Sequence, residues 1–392
     1  MMPGIPRPHP TLGWPMAGAM LLLAAAVWSR LLPIVAVDLV WFNIPWYRHA
    51  VDTGSLAVFR QPWSNYTPPY LYGLVALVPL HDLLGPLAAV KLLSALGTLA
   101  LAGAVWRLMR ALGVADAGPL ACCVVALPSI ALNAAALGQC DALATAPLVM
   151  ALAGAVERRH LAMLGWCGLA LAIKLQAILF APFVIGLIVA RRVPLRDLPA
   201  MPLALAAAFA PAWALGWPLA DLATIYLRQS EHFAELSRNA PNIWMIVQSI
   251  GLGSPVLTGL AVAAAVGASA TLMARMSADA ARLTPVVLLR FALLAPLLTA
   301  GLLPRMHERY FFIADVVAFT LAAVVRDQAG LRLHQSARDR DMSYDDIIAE
   351  YAAEGEAQEL GGFDYFTKQP DCIDWTKCPE HVDVRALVPS AS

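Results

Sequence analysis

The chain has 392 residues, 60% hydrophobic and only 14% charged, against soluble averages of about 45–50% apolar and about 25% charged. That composition excludes an ordinary soluble enzyme and places the chain in a bilayer. The 27 basic and 27 acidic residues balance overall, but residues 1–326 carry 21 and 13 of them and residues 327–392 carry 6 and 14, which sets a basic body against an acidic tail.

A bilayer crossing takes roughly 20 mostly apolar residues. Runs of that kind, bounded by charge or by Pro/Gly clusters, predict about ten spans near 15–37, 87–106, 117–136, 142–156, 161–173, 175–190, 199–217, 253–275, 284–303 and 310–325. The first run is longer than the apolar part of a secretory leader and no small-residue cleavage site follows, so it is expected to remain as an anchor. Arg107/Arg110, Arg158/Arg159, Arg191/Arg192/Arg196 and Arg275/Arg282 fall on alternate connections if the N-terminus is cytoplasmic. Both termini are therefore expected in the cytoplasm of a multi-pass protein of a bacterial inner or plasma membrane.

Residues 68–85 are apolar enough to count as a further span, but counting them would put Arg107 and Arg110 outside and invert every later loop. Their paired prolines, Tyr70, Tyr72, His81 and Asp82 suit a segment lying at the outer interface. The outer loops are then about 38–86 and 218–243. The predicted fold class is an all-α polytopic membrane bundle with interfacial helices in the first outer loop, occupying residues 1–330. The tail, 331–392, is acidic and lacks apolar periodicity beyond a short helix at 343–353. It is expected to be a cytoplasmic, partly disordered appendage, and its abrupt composition also fits a frameshifted or foreign C-terminus. No internal repeat is evident. Cys122, Cys123, Cys140 and Cys167 lie in or beside apolar runs and only Cys372 and Cys378 in polar sequence, which supports neither a disulfide framework nor a zinc site.

With this topology the unusual polar residues all fall on the outer side: Asp38, Asn133, Gln139, Asp141, Lys174, Gln176, Asn239, Asn242, and Arg305, His307, Glu308 and Arg309. Ionisable groups at membrane depth are expensive unless paired or functional. Lys174, Arg305, Arg309 and His307 can neutralise a phosphate, Arg as a bidentate fork, which suits an anionic lipid-linked substrate. Asp38 stands where a helix emerges into the outer loop, reachable from lipid and from water, and partial desolvation strengthens such a carboxylate as a base toward a hydroxyl. Gln139, Asp141, Gln176, Asn242, Glu308 and Tyr66 are candidate substrate contacts.

Plainer readings stand beside these. Asp38 can simply end a helix, and Gln139 and Asp141 can cap one. Lys174 can snorkel, residues 307–309 can be a charged turn, and Asn239 and Asn242 can be turn residues. Trp41, Trp46 and Trp63 suit an aromatic interface belt, with sugar stacking the lesser option.

The order Asp38, WFNIPWYRHAVDTG at 41–54, SNYTPPYLY at 64–72, GQCDAL at 138–143, Lys174/Gln176 before Pro182, NAPNIW at 239–244 and PRMHERYFFIAD at 304–315 resembles bacterial integral-membrane mannosyltransferases. These are relatives of the second GPI mannosyltransferase, within the GT-C glycosyltransferase superfamily. The similarity runs over about 38–325 and leaves out the tail. The resemblance implies a GT-C-like bundle and a lipid-linked donor such as polyprenyl-phosphate mannose. It implies an inverting transfer at the outer face that is metal-independent or weakly metal-dependent, to a lipid, glycan or protein acceptor of the cell envelope. It also implies an essential acidic residue in the first outer loop, which Asp38 matches; Asp52 is the nearest second acid. A divalent cation at Asp38 stays open beside the role of base.

The rival function from another class is a transporter or flippase for a lipid-linked sugar. Such proteins tend to show repeats and broken helices near the midplane, whereas here the polar groups concentrate on one side. An inactive structural subunit is a third option, and arabinose or glucose are rival sugars. Dispersed basic residues give no sign of nucleic-acid binding, and no nucleotide-binding domain is present to use a nucleotide sugar.

Overall fold

Apolar segments in lipid fold as helices because every backbone N–H and C=O must find its partner within the segment. The computed structural model describes residues 13–54, 56–231, 236–252 and 255–340. Among them the regular structure is helical, without a strand; Arg238 and Asn239 each form an isolated bridge to His307. The chain divides into two compact units, Pro10–Asp327 and a second made of Met1–His9 with Gln328–Ser392. Of the second unit only the helical backbone of 328–340 is described.

The helices in chain order are α1 Gly13–Leu31, α2 Ile44–Thr53, α3 Pro68–Ala76, α4 His81–Ala111, α5 Ala117–Cys123 and α6 Pro128–Ala131. They continue as α7 Asp141–Val156, α8 His160–Ile173, α9 Ala181–Val189, α10 Ala200–Ala214 and α11 Leu219–Glu231. The last are α12 Ile243–Ser249, α13 Pro255–Ala278, α14 Pro285–Leu302 and α15 Phe312–Arg340. Two π-helical turns interrupt the series, Leu39–Asn43 and Leu132–Ala136.

Each of the ten predicted segments coincides with a helix or a broken helix, but four helical runs are long and apolar enough to cross a membrane: α1, Pro68–Ala111, α13 and α14. A fifth forms if Ala117–Ala126 and Pro128–Ala136, bent by 52° at the Leu127–Pro128 junction, count as one. Asp141–Val156, His160–Ile173 and Leu175–Val189 are apolar but shorter. At about 1.5 Å rise per residue, a 16-residue helix falls short of a hydrocarbon layer about 30 Å thick. Large apolar side chains stand on the outside of α1 and α13, with Leu22 75%, Val256 72% and Val266 63% exposed, as lipid-facing surfaces require. The described residues are those of an all-helical membrane protein.

Segment 68–85 departs from the picture of a helix resting along an interface. Pro68, Tyr70, Leu71 and Leu74 of α3 are buried, and α3 packs against α2, α4, α8 and α10. The apolar run is broken at Gly85, whose φ of 68° precedes Pro86 inside α4; only glycine adopts that left-handed backbone without strain. The far end differs too. α15 continues to Arg340, well beyond the expected end near 325, because 326–340 is polar but rich in helix-forming Ala, Leu, Arg and Gln and free of proline. The expected short helix at 343–353, Cys372, Cys378 and the rest of the acidic tail lie outside the described residues.

Neighbouring helices approach closely where glycine permits it. α7 packs between α4 and α8, and α8 against α10. A Cβ on Gly97 would sit 3.0 Å from the Leu143 nitrogen, and one on Gly168 2.2 Å from the Met201 carbonyl oxygen. Small residues at such contacts let backbones pack where lipid supplies no hydrophobic drive between helices.

Candidate functional site

Three local devices carry the polar residues to one place. Lys91 of α4, 2% exposed, donates to the carbonyls of Leu31 at 3.4 Å and of Leu32 and Ile34 at 2.6 Å. A cation at a helix C-terminus is favourable for the dipole and for the last unpaired carbonyls. It pins the end of α1 to α4 and so fixes the turn that leads to Asp38. Asn43 closes the π-helical turn that follows, donating to the Tyr70 hydroxyl at 2.8 Å.

The second device is the reversal before α7. Gly138 has φ of 61° and Gln139 N donates to the Asn133 carbonyl at 3.0 Å, which sets Asp141 in the first turn of α7. Its carboxylate is the centre of a buried cluster. Oδ1 accepts from Lys174 Nζ at 2.6 Å and Gln176 Nε2 at 2.5 Å, and Oδ2 accepts from Asn133 Nδ2 at 2.7 Å. The side chains of Lys174 and Asp141 are 8% and 3% exposed. Lys174 has extended backbone between α8 and the 3-10 turn Leu175–Phe180, and this break is what turns it toward Asp141.

The third device joins two connecting segments. Arg238 N donates to the Met306 carbonyl at 3.0 Å and Arg305 N to the Leu236 carbonyl at 2.8 Å, so that 236–239 lies alongside 304–307. Asn239 and Arg305 take φ of 60° and 62°, a conformation that Asn tolerates better than Arg. From the following turn, Arg309 Nη1 reaches Asp38 Oδ2 at 2.7 Å, and Gln139 Nε2 donates to the same oxygen at 3.0 Å.

The result is a cavity of about 510 Å³, within the range of small-molecule sites. Asp38, Tyr66, Gln139, Lys174, Gln176, Arg305, His307 and Arg309 all line it, and Asp141 stands directly behind Lys174. Its lining carries the cations Lys174, Arg238, Arg305 and Arg309, with His307 beside them, against the single carboxylate Asp38; the rest is largely apolar, with Phe42, Ile173, Leu175, Ile178, Leu179, Val262 and Leu303. Lys174 Nζ lies 5.8 Å from the Tyr66 ring centroid, a cation–π distance. Burial pushes the Tyr66 phenol well above its ordinary pKa, which keeps it a neutral donor.

A second cavity, about 630 Å³, shares Asp38, Arg238, His307 and Arg309 with the first and adds Ser237, Asn239, Gln248 and Glu308. Its charged lining balances, Arg238 and Arg309 against Asp38 and Glu308. His307 Nδ1, 3.7 Å from Glu308 Oε2, holds that carboxyl below the usual carboxylate range. Gln139 Oε1, Arg309 Nε and Ser237 Oγ, all buried, have no partner among the described residues. Such groups cost about 1–3 kcal/mol each when unpaired.

Four expected residues stand outside the first cavity, Asp141 among them, bound behind Lys174. Asn242 lines neither cavity: it caps α12, accepting from Trp244 N at 3.2 Å and donating to the carbonyls of Ala300 and Leu303. Glu308 lines only the second cavity, and Asp52 is exposed on α2 and lines neither. Trp46, expected in an interface belt, is 9% exposed, lines the first cavity and packs 5.0 Å from Tyr66 between ring centroids. Arg238 and Asn65 were not among the expected site residues. Only the position of Arg238 beside the NAPN segment hinted at it, since no local pattern predicts the pairing of 236–239 with 304–307.

A divalent cation does not fit Asp38. Its carboxylate faces an amide and a guanidinium, and among the described residues no three His, Cys, Asp or Glu side chains converge. No family model matches this chain, and comparison with curated proteins finds no match either.

Proposed function

We propose that this chain is a polytopic glycosyltransferase of the GT-C kind that moves a hexose, mannose in the first instance, from a polyprenyl-phosphate carrier to an acceptor hydroxyl. The observation that carries the reading is the first cavity, whose lining combines four cations and a single carboxylate with a largely apolar set. An anionic phosphate bearing a hydrocarbon tail matches both kinds of lining at once, and a soluble sugar phosphate would leave the apolar set unused. The balanced, polar second cavity suits an uncharged hydroxylated acceptor, and Asp38 borders both.

In this reading Asp38 takes the proton of the acceptor hydroxyl as its oxygen bonds to the anomeric carbon. The bond from that carbon to the phosphate oxygen breaks, and the polyprenyl phosphate leaves with its electron pair. Lys174, Arg305 and Arg309 hold the phosphate and stabilise the charge that grows on it. Gln176, Tyr66 and Gln139 contact sugar hydroxyls. The shorter apolar helices and α10 cross alongside the longer ones to make a bundle of about ten spans, with both termini cytoplasmic and the site at the outer face.

The test is transfer of radiolabelled sugar from synthetic polyprenyl-phosphate mannose to membrane acceptors by purified protein. Wild type is expected to transfer, and Asp38→Asn, which keeps the size but loses the carboxylate, to fall by about 10²–10⁴-fold, the usual worth of a positioned base. Full activity in the variant overturns the role of Asp38. Absence of transfer by wild type from any polyprenyl-phosphate sugar overturns the function.

A further inference from the structure

The base and one of the phosphate-binding cations are bound to each other. Arg309 Nη1 lies 2.7 Å from Asp38 Oδ2, with side-chain exposures of 14% and 34%, and Gln139 occupies the same oxygen. Oδ2 is thereby engaged twice and has little left to offer a hydroxyl proton, and a guanidinium committed to a carboxylate is a weaker anion site. Arg309 nevertheless lines both cavities, and its buried Nε has no partner among the described residues. The guanidinium is therefore placed to exchange one anion for another. Lys174 differs, since Asp141 is walled off behind it and bound by three donors.

From this geometry we infer that the Asp38–Arg309 pair is a latch opened by the phosphodiester of the donor. The inference rests on the proposed use of the first cavity by a lipid-linked phosphate. An arriving phosphate finds three further cations, takes Arg309 from Asp38, and leaves the carboxylate with Gln139 alone. The donor thus switches on the base, and binding is ordered, donor before productive acceptor. With no donor present the carboxylate stays tied and activates neither acceptor nor water. Competition for Arg309 is reciprocal, so whatever factor phosphate binding loses in displacing Asp38 is the factor by which removing Asp38 strengthens it.

The probe is octyl methyl phosphate, which carries one fixed negative charge and a tail but no sugar, titrated into detergent-solubilised full-length protein at about 0.15 M salt to screen distant charges. Asp38→Asn is expected to bind it at least about fivefold more tightly than wild type, the lower end of ordinary coupling. Loss of direct repulsion between Asp38 and the probe would also raise affinity, so the comparison is repeated on an Arg309→Met background, as a double-mutant cycle requires. There the gain is expected to shrink to within about twofold, because the guanidinium that Asp38 releases is gone.

Equal or weaker binding by Asp38→Asn overturns the latch, and so does a gain that persists undiminished without Arg309. If Asp38→Asn does not give monodisperse protein, wild type decides. Carbodiimide labelling of Asp38, read by peptide mass spectrometry, is expected to speed up on adding the probe, and an unchanged or slower rate overturns the proposal. The two readings fail separately. Loss of sugar transfer with the affinity pattern intact removes the enzyme and keeps an anion-operated latch, whereas transfer with a flat pattern keeps the enzyme and removes the latch.

Discussion

Asp141 and Lys174 form the most buried ion pair of the site, 2.6 Å apart and 3% and 8% exposed. Removing one partner of a buried pair costs about 3–5 kcal/mol, because the other charge is left in low dielectric, while replacing both is far milder. Lys174→Met is therefore expected to lower the melting temperature in detergent sharply, and Lys174→Met with Asp141→Asn to recover much of the loss. Affinity for an alkyl phosphate should stay low in both, since neither has the ammonium. A double variant no more stable than the single would show that Asn133 and Gln176 already satisfy Asp141. The expense of ionisable groups at membrane depth made Asp38, Lys174 and the 305–309 group visible in the sequence. Their partners were not visible: Asp38 and Arg309 are 271 positions apart, and no local pattern says which cation meets which carboxylate.

At the scale of the element, the close approach of α8 and α10 depends on one missing methyl group. A Cβ at Gly168 would fall 2.2 Å from the Met201 carbonyl and 3.0 Å from Ala204 Cβ, and neither backbone nor Cβ can swing aside. Gly168→Ala is expected to destabilise the protein by about 1–3 kcal/mol, the usual cost of overpacking, read as a fall in melting temperature. Gly259→Ala on α13, where no atom lies within 4 Å, serves as the control and should be neutral or slightly stabilising, since alanine is the better helix former. Helix identity was legible from apolar runs alone, and every expected run is helical. The breaks were less so: the bend at Leu127–Pro128, where proline cannot continue the preceding helix, and the π-helical turns at Leu39–Asn43 and Leu132–Ala136. The end of α15 was missed because an apolar criterion cannot see a polar helix.

At the scale of the whole molecule, the proposed topology makes its own prediction. With the protein's own cysteines replaced by serine, a cysteine at Arg60, exposed in the first outer loop, is expected to react with a membrane-impermeant thiol reagent in intact cells. One at Arg196, whose side chain is 87% exposed, is expected to react only after permeabilisation. The reverse pattern would place the cavities on the cytoplasmic side and remove the lipid-linked donor reading with its outer-face chemistry. The two positions differ by the arginine-rich connections around 158 and 191, whose charge bias is the basis of the orientation.

The sequence by itself determined that this is a helical protein of the membrane, where its helices run, and that cations and a carboxylate are concentrated on a few connections. These are properties of short segments, fixed by composition and by the backbone's need to satisfy its own hydrogen bonds in lipid. Only the tertiary structure decided that Asp38 is tied to Arg309 and Asp141 to Lys174, and that Arg238 and Trp46 line one cavity. It also decided that two cavities of different charge meet at one carboxylate. Electrostatic partnership depends on distances of a few ångströms between side chains from separate helices, and those distances exist only once the bundle has packed.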